Sequence, residues 1–153
     1  DGAGSPRVRQ NRGGAAAVAR PAMAGTLATG GPPGLPERED GPSRVIAARW
    51  HPSAAAQVVA GELGGQLLGL GSAGAKAMAV VMGHADVYAH SGGQYEWDSC
   101  APVAVAHAAG LWTSRLDGSP LVYNNADPYL PDLLVCHPDL VARVRRALDG
   151  FEG

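Results

Sequence analysis

The sequence has little of several features that mark specialised proteins. Its two cysteines, Cys100 and Cys136, are too few for a disulfide scaffold, so a reducing cytoplasm is the expected location. No apolar run approaches the roughly 20 residues that a membrane span needs, and Asp1–Gln10 lacks the apolar core of a signal peptide. A net charge of -2 gives no general attraction to nucleic acid or to anionic membranes. A globular intracellular domain is therefore expected, with neither class of partner.

Glycine and proline are plentiful, and they are unevenly distributed. The first 45 residues hold nine Gly and six Pro. This composition predicts a loop-rich lead-in over residues 1–42 with at most one strand, at Ala15–Ala19. A basic arm for nucleic acid is the weaker alternative, because the arginines are scattered and no aromatic residue lies between them. The folded domain is expected over residues 43–150.

From Ser43 onward, strand patterns alternate with helix patterns. Helices are expected from His51 to Leu63, Ser72 to Met82, Asp98 to Ala109 and Pro138 to Leu148. Strands are expected at Arg44–Ala48, Gln66–Leu70, Ala85–His90, Leu111–Arg115 and Leu133–Cys136, the second and the last of them buried. This alternation predicts the α/β class.

A glycine-rich turn lies between the second strand and the second helix. Gly69–Gly74 fits G-x-G-x-x-G, a motif of dinucleotide-binding oxidoreductases. Asp86 comes too early to be the acid that a dinucleotide site needs, so a dinucleotide-binding oxidoreductase is a low-ranked alternative. More generally, small residues at a helix N-terminus offer free N–H groups to an anion, and Lys76 adds a positive charge. The alternative is a tight turn against which Lys76 packs its stem.

The segment Glu96–Pro102 (EWDSCAP) is the most informative stretch. An aspartate at a helix start, here Asp98, commonly caps the helix. A carboxylate there also has lone pairs free for a hard cation such as Mg²⁺. Spacing alone favours the cap.

Several motifs together resemble a known family. They are Gly71–Met78, Ala85–Tyr88, Glu96–Pro102, Ala108–Gly110, Arg115–Leu121, Tyr123-Asn124 and Asp127–Asp132. In this order they resemble the C-terminal half of the inositol monophosphatase superfamily, most of all its 3'(2'),5'-bisphosphate nucleotidases of the CysQ type. The resemblance implies the C-terminal part of a layered α-β-α-β-α phosphatase fold, with a mixed sheet flanked by helices. It also implies a Mg²⁺-dependent hydrolase of phosphate monoesters in sulfur metabolism.

The resemblance also assigns roles to residues. Asp98 falls on the family's metal ligand, which also contacts substrate. The other implied substrate-binding residues are Gly71, Ser72 and Ala73 of the turn, together with Lys76 and His90, although a surface position for His90 is equally open. No catalytic residue is identified.

The pattern also departs from the family. Neither the early catalytic glutamate nor the segment Asp-Pro-Ile/Leu-Asp-Gly-Thr is found, and one carboxylate cannot hold a catalytic Mg²⁺. We therefore expect a truncated phosphatase for 3'-phosphoadenosine 5'-phosphate that is inactive alone. An inositol or sugar monophosphatase and a non-catalytic phosphate-binding remnant are the alternatives. The expected partner is a small phosphate monoester, and a homodimer stays open.

Overall fold

One mixed sheet forms the centre of the molecule. The computed structural model describes residues 17–19, 26–28 and 34–152. In these parts of the chain the strands are β1 Ala17–Ala19, β2 Thr26–Ala28, β3 Arg44–Ala48, β4 Gln66–Leu70, β5 Val87–His90, β6 Gln94–Tyr95, β7 Trp112–Ser114, β8 Tyr129–Leu130 and β9 Leu133–Cys136. The central sheet has the order β4-β3-β5-β9-β7. β3 pairs parallel with β4 and β5, whereas β9 pairs antiparallel with β5 and β7.

Helices cover both faces of this sheet. They are α1 Ala54–Leu63, α2 Ala73–Val81, α3 Glu96–Ala108 and α4 Val141–Ala147, the last preceded by a 3₁₀ turn at Pro138–Leu140. Side chains of a strand alternate between the two faces. Ile46, Tyr88 and Val135 pack in one core with α2 and α3, while Val45, Val87 and Leu134 pack in a second core with α1 and α4. The expected α/β fold, a mixed sheet flanked by helices, is confirmed.

Local sequence explains where the first two helices begin. Ser53 accepts a hydrogen bond on its hydroxyl from the N–H of Ala56, and Ser72 accepts one in the same way from Ala75. Serine at such a position satisfies an amide that the helix leaves without a partner. Gly64 ends α1 in the left-handed region at φ 58°, which glycine adopts without steric cost. No helix in the described parts of the chain is long and apolar enough to cross a membrane.

Several expectations differ from the structure. β4 is not buried but lies at the edge of the sheet, where Leu67 is 41% exposed, because an apolar run does not distinguish an edge strand from a central one. The third helix begins at Glu96, so Asp98 is its third residue and not its cap. Two short strands, β1 and β2, pair antiparallel in the lead-in, where at most one was expected. The other lead-in residues before Gly34 lie outside the described parts of the chain.

A buried carboxylate anchors the start of the domain. Asp86 is 4% exposed and accepts a hydrogen bond of 2.7 Å from the N–H of Arg44. The guanidinium groups of Arg44 and Arg38 lie 3.3 and 3.7 Å from the same carboxylate. A buried charge is tolerated where it is paired and hydrogen-bonded. Asp86 therefore has a structural role, and not the ligand-binding role that it would have in a dinucleotide site.

Candidate functional site

The glycine turn presents an open helix start. Gly71 and Ser72 are exposed, and Ala73 is the first residue of α2. The N–H of Ala75 is satisfied by the Ser72 hydroxyl at 3.1 Å, and the N–H of Lys76 donates to the Ser72 carbonyl at 3.0 Å. The amides of Ala73 and Gly74 come too early in the helix for an intrahelical acceptor. They are the groups that an anion would meet here.

Lys76 lies inside this turn and not on its surface. Its side chain is 5% exposed, and its ammonium donates to the carbonyl of Gly71 at 3.1 Å. The same ammonium lies 5.6 Å from the centre of the Tyr88 ring. Burial lowers the pKa of Lys76 because the charged form loses its hydration. Lys76 therefore shapes the turn and places a positive charge directly behind it.

Asp98 is exposed on the first turn of α3. Its Oδ2 accepts a hydrogen bond of 2.9 Å from the N–H of Tyr95, the residue before the helix. The carboxylate keeps further lone pairs toward solvent. Pro102 has no N–H to donate, so the main-chain carbonyl of Asp98 lacks its usual helical partner four residues on. Asp98 thus offers exposed oxygen atoms from its side chain.

Packing links the start of α2 to the face of α3 that carries Asp98. A Cβ at Gly74 would lie 3.5 Å from Cγ of Pro102. Pro102 follows Asp98 by four residues, and such residues share one face of a helix. Burial raises the pKa of Tyr88, and the negative charge of Asp98 raises it further, while the nearby Gln94 carboxamide opposes the rise. The ring over which Lys76 lies is therefore within electrostatic reach of Asp98.

His90 ends β5 and is half-buried. Its Nε2 lies 2.9 Å from the carbonyl oxygen of Gly93, so the ring holds the loop that leads to α3. Its ring centre lies 6.2 Å from that of Tyr88. The structure places His90 close behind the loop, and whether it contacts substrate stays a prediction.

Sequence reasoning missed Glu96, which organises the start of α3. Glu96 is 8% exposed, and its carboxylate accepts hydrogen bonds from the N–H groups of Asn124 and Asn125 at 2.7 and 3.2 Å. The side-chain amide of Asn125 donates to the same carboxylate. An acidic residue directly before Trp97-Asp98 was the available signal, because a negative charge suits the N-terminus of a helix.

The site residues can supply one protein ligand to a magnesium ion. Mg²⁺ takes about six oxygen ligands and is usually held by one or two carboxylates together with waters and substrate phosphates. Asp98 supplies one exposed carboxylate. Within the part of the chain that the structure describes, no three His, Cys, Asp or Glu side chains form a group that could hold a metal ion. The described residues therefore do not build a whole catalytic metal site.

Solved structures with the same fold define the class of protein. The structure of CysQ from Bacteroides thetaiotaomicron matches with a TM-score of 0.57 and 27% sequence identity, over 67% of this chain and 40% of that chain. The inositol monophosphatase from Anabaena (Nostoc) sp. PCC 7120 matches with a TM-score of 0.60 and 22% identity, over 86% of this chain and 54% of that chain. The fold is that of the inositol monophosphatases.

Sequence comparisons give the family within that class. Residues 38–148 match the inositol monophosphatase family, and the chain belongs to it. The 3'-phosphoadenosine 5'-phosphate phosphatase of Mycobacterium bovis is 48% identical over 132 residues, which are 82% of this chain and 48% of that protein. Its namesake in Mycobacterium leprae is 65% identical over 71 residues, 46% of this chain and 26% of that protein. The chain spans about half the length of the M. bovis relative.

Proposed function

We propose that this chain is the substrate-binding C-terminal part of a Mg²⁺-dependent phosphatase that hydrolyses the 3'-phosphate of 3'-phosphoadenosine 5'-phosphate. The observation that carries the proposal is the packing of α2 against α3 at Gly74, where a Cβ would lie 3.5 Å from Cγ of Pro102, because it brings the open turn at Gly71–Ala73 close to the helix that carries Asp98. An anion-binding turn and an exposed carboxylate on adjacent helices suit a phosphate and its cation. The names of the mycobacterial relatives support this substrate.

Each residue of the site has a separate task in this proposal. The free amides after Ser72 receive phosphoryl oxygens, and the buried charge of Lys76 attracts the anion without touching it. Asp98 holds one side of the cation and contacts the substrate. His90 supports the loop that leads to α3 through its contact with the carbonyl of Gly93. When bound, Mg²⁺ would polarise the phosphoryl group and neutralise the leaving oxygen.

The proposal separates binding from turnover. Because the described residues supply one carboxylate for the metal, we expect the 153-residue chain to bind the nucleotide and to release little phosphate from it. Ligands from a further segment would complete the metal site. The cytoplasmic location and the homodimer stay predictions.

Titration calorimetry of the purified chain with 3'-phosphoadenosine 5'-phosphate tests the binding half. Mg²⁺ should increase the affinity for the nucleotide. Asp98→Asn should reduce this Mg²⁺-dependent increase by a factor of about ten or more, the size of one charge-assisted contact. Asparagine keeps an oxygen that can accept from the N–H of Tyr95, so the helix start is retained. Asp149→Asn, at an exposed residue outside the site, is the matched control.

Four results would count against the proposal. Failure of the nucleotide to bind would refute the substrate. Tighter binding of inositol 1-phosphate would favour an inositol monophosphatase, and equal binding with and without Mg²⁺ would favour a phosphate-binding remnant. Steady phosphate release by the 153-residue chain would refute the separation of binding from turnover.

A further inference from the structure

Three exposed aromatic rings form a cluster beside Asp98. Trp97, Tyr129 and Tyr95 are 65%, 48% and 47% exposed. The rings of Tyr95 and Trp97 are stacked, with centres 4.5 Å apart and planes 3° from parallel. Tyr129 meets the Tyr95 ring edge-on at 6.2 Å and 80°. The chain has eight aromatic residues in all, so this concentration at the surface is not a general surplus.

The local backbone holds this cluster in place. β6 and β8 pair Tyr95 with Tyr129, and the N–H of Gly93 donates to the carbonyl of Pro131 at 3.0 Å. Gly93 has φ +87°, and a Cβ there would collide with the Tyr129 ring. A side chain is therefore excluded at this position twice, by conformation and by space. The strand pairing therefore fixes the position of Tyr95, on which the Trp97 ring stacks.

The stack leaves one aromatic face open. Tyr95 covers one face of the Trp97 ring, and the exposure of Trp97 leaves room on the other. Aromatic faces in water bind other flat π-systems, and nucleobases stack on such side chains in many nucleotide sites. Inositol and simple sugars can offer only C–H groups to such a face and cannot form a π-stack with it. The chemistry of the surface therefore favours a nucleobase.

The position of the stack matches a ligand already anchored at Asp98. Trp97 directly precedes Asp98, and the Asp98 carboxylate bonds to the N–H of Tyr95 at 2.9 Å. A nucleotide is a phosphate and a base joined by a sugar, so its two ends can occupy neighbouring sites. We propose that Trp97, backed by Tyr95, stacks against the purine base of the substrate and makes the site select nucleotides over inositol phosphates. The placement of the phosphate end at Asp98 rests on the proposed function, whereas the stacking of the base on Trp97 does not.

Binding of adenosine, AMP, 3'-phosphoadenosine 5'-phosphate and inositol 1-phosphate to the purified chain tests this inference. Adenosine and AMP should quench tryptophan fluorescence. Trp97→Ala should weaken AMP about tenfold, the usual loss when one stacking side chain is removed, and Trp97→Phe should restore most of the affinity. Inositol 1-phosphate should bind both variants like the parent chain. Trp50→Ala, which removes a tryptophan that is 81% exposed elsewhere, is the control.

The outcomes separate this inference from the proposed function. Equal affinity for adenosine and 3'-phosphoadenosine 5'-phosphate, both weakened by Trp97→Ala, would support the stack and refute the phosphate site. An equal loss of AMP and inositol 1-phosphate in Trp97→Ala, or no difference from Trp50→Ala, would refute the stack. A dimer that Trp97→Ala dissociates, with adenosine without effect, would make this surface an interface between copies and would also overturn the inference.

Discussion

Replacing Glu96 by alanine should destabilise the protein strongly, although Glu96 is only the first residue of α3. Its carboxylate accepts from two backbone amides and one side-chain amide of Asn124 and Asn125. Hydrogen bonds to a charged group contribute about 1.5–3 kcal/mol each, but the two asparagines are exposed and water will satisfy part of what is lost. We therefore expect a loss of about 2–4 kcal/mol in the free energy of unfolding.

Urea and thermal unfolding of the Glu96→Ala chain measure this loss. For about 150 residues, 1 kcal/mol corresponds to about 2–4 °C, so Tm should fall by about 4–16 °C. Glu96→Gln keeps one acceptor oxygen and should lose about half as much. Glu62→Ala, at an exposed position of α1, is the matched control. If Glu96→Ala and Glu62→Ala differ by less than about 0.5 kcal/mol, the carboxylate does not hold the loop and the reasoning is wrong.

Two further predictions concern the loop before α3 and the buried thiol. Gly93→Ala should cost about 2–4 kcal/mol in urea unfolding, more than Gly92→Ala, because both have positive φ but only Gly93 meets the Tyr129 ring; equal losses would contradict this. Burial raises the pKa of the Cys136 thiol from 9.0 to about 12, so in a Cys100→Ser background iodoacetamide at pH 8 should react only after unfolding. The contribution of the buried Cys136 thiol to the free energy of unfolding should be complete below pH 9 and lost as pH rises toward 12, because the thiol of the unfolded chain ionises first. Rapid alkylation of Cys136 in the folded chain would refute the protection of this thiol by burial.

The sequence predicted elements well where local chemistry decides them. The strands β3, β4 and β9 have the expected bounds, and Ser72 caps α2 as expected. Each depends on neighbours along the chain, such as an apolar run or a hydroxyl at a helix start. The family, read from ordered motifs, is confirmed by the match over residues 38–148.

The features that the sequence did not predict depend on which hydrogen bonds and strand pairings form in the folded chain. The expected cap at Asp98 was wrong because its carboxylate turns back to the N–H of Tyr95, which places the helix start two residues earlier. Lys76 was expected to meet substrate; its ammonium donates to the carbonyl of Gly71, a bond that the sequence did not predict, and its role toward substrate stays a prediction. The aromatic cluster depends on pairing between β6 and β8, which are two residues each and give no periodic signal. The assignments of Asp98, the turn, Lys76 and His90 to substrate stay predictions.

The order of the strands has a consequence for how the chain acquires its structure during synthesis. β9 is the last strand along the described chain, yet it lies between β5 and β7 in the interior of the sheet. Until residues 133–136 emerge from the ribosome, β5 is paired only on the side of β3, and β7 lacks its strand partner among the described strands. The central sheet can therefore be completed only after β9 is made, and a nascent chain stalled before residue 133 would present unpaired strand edges to chaperones and proteases.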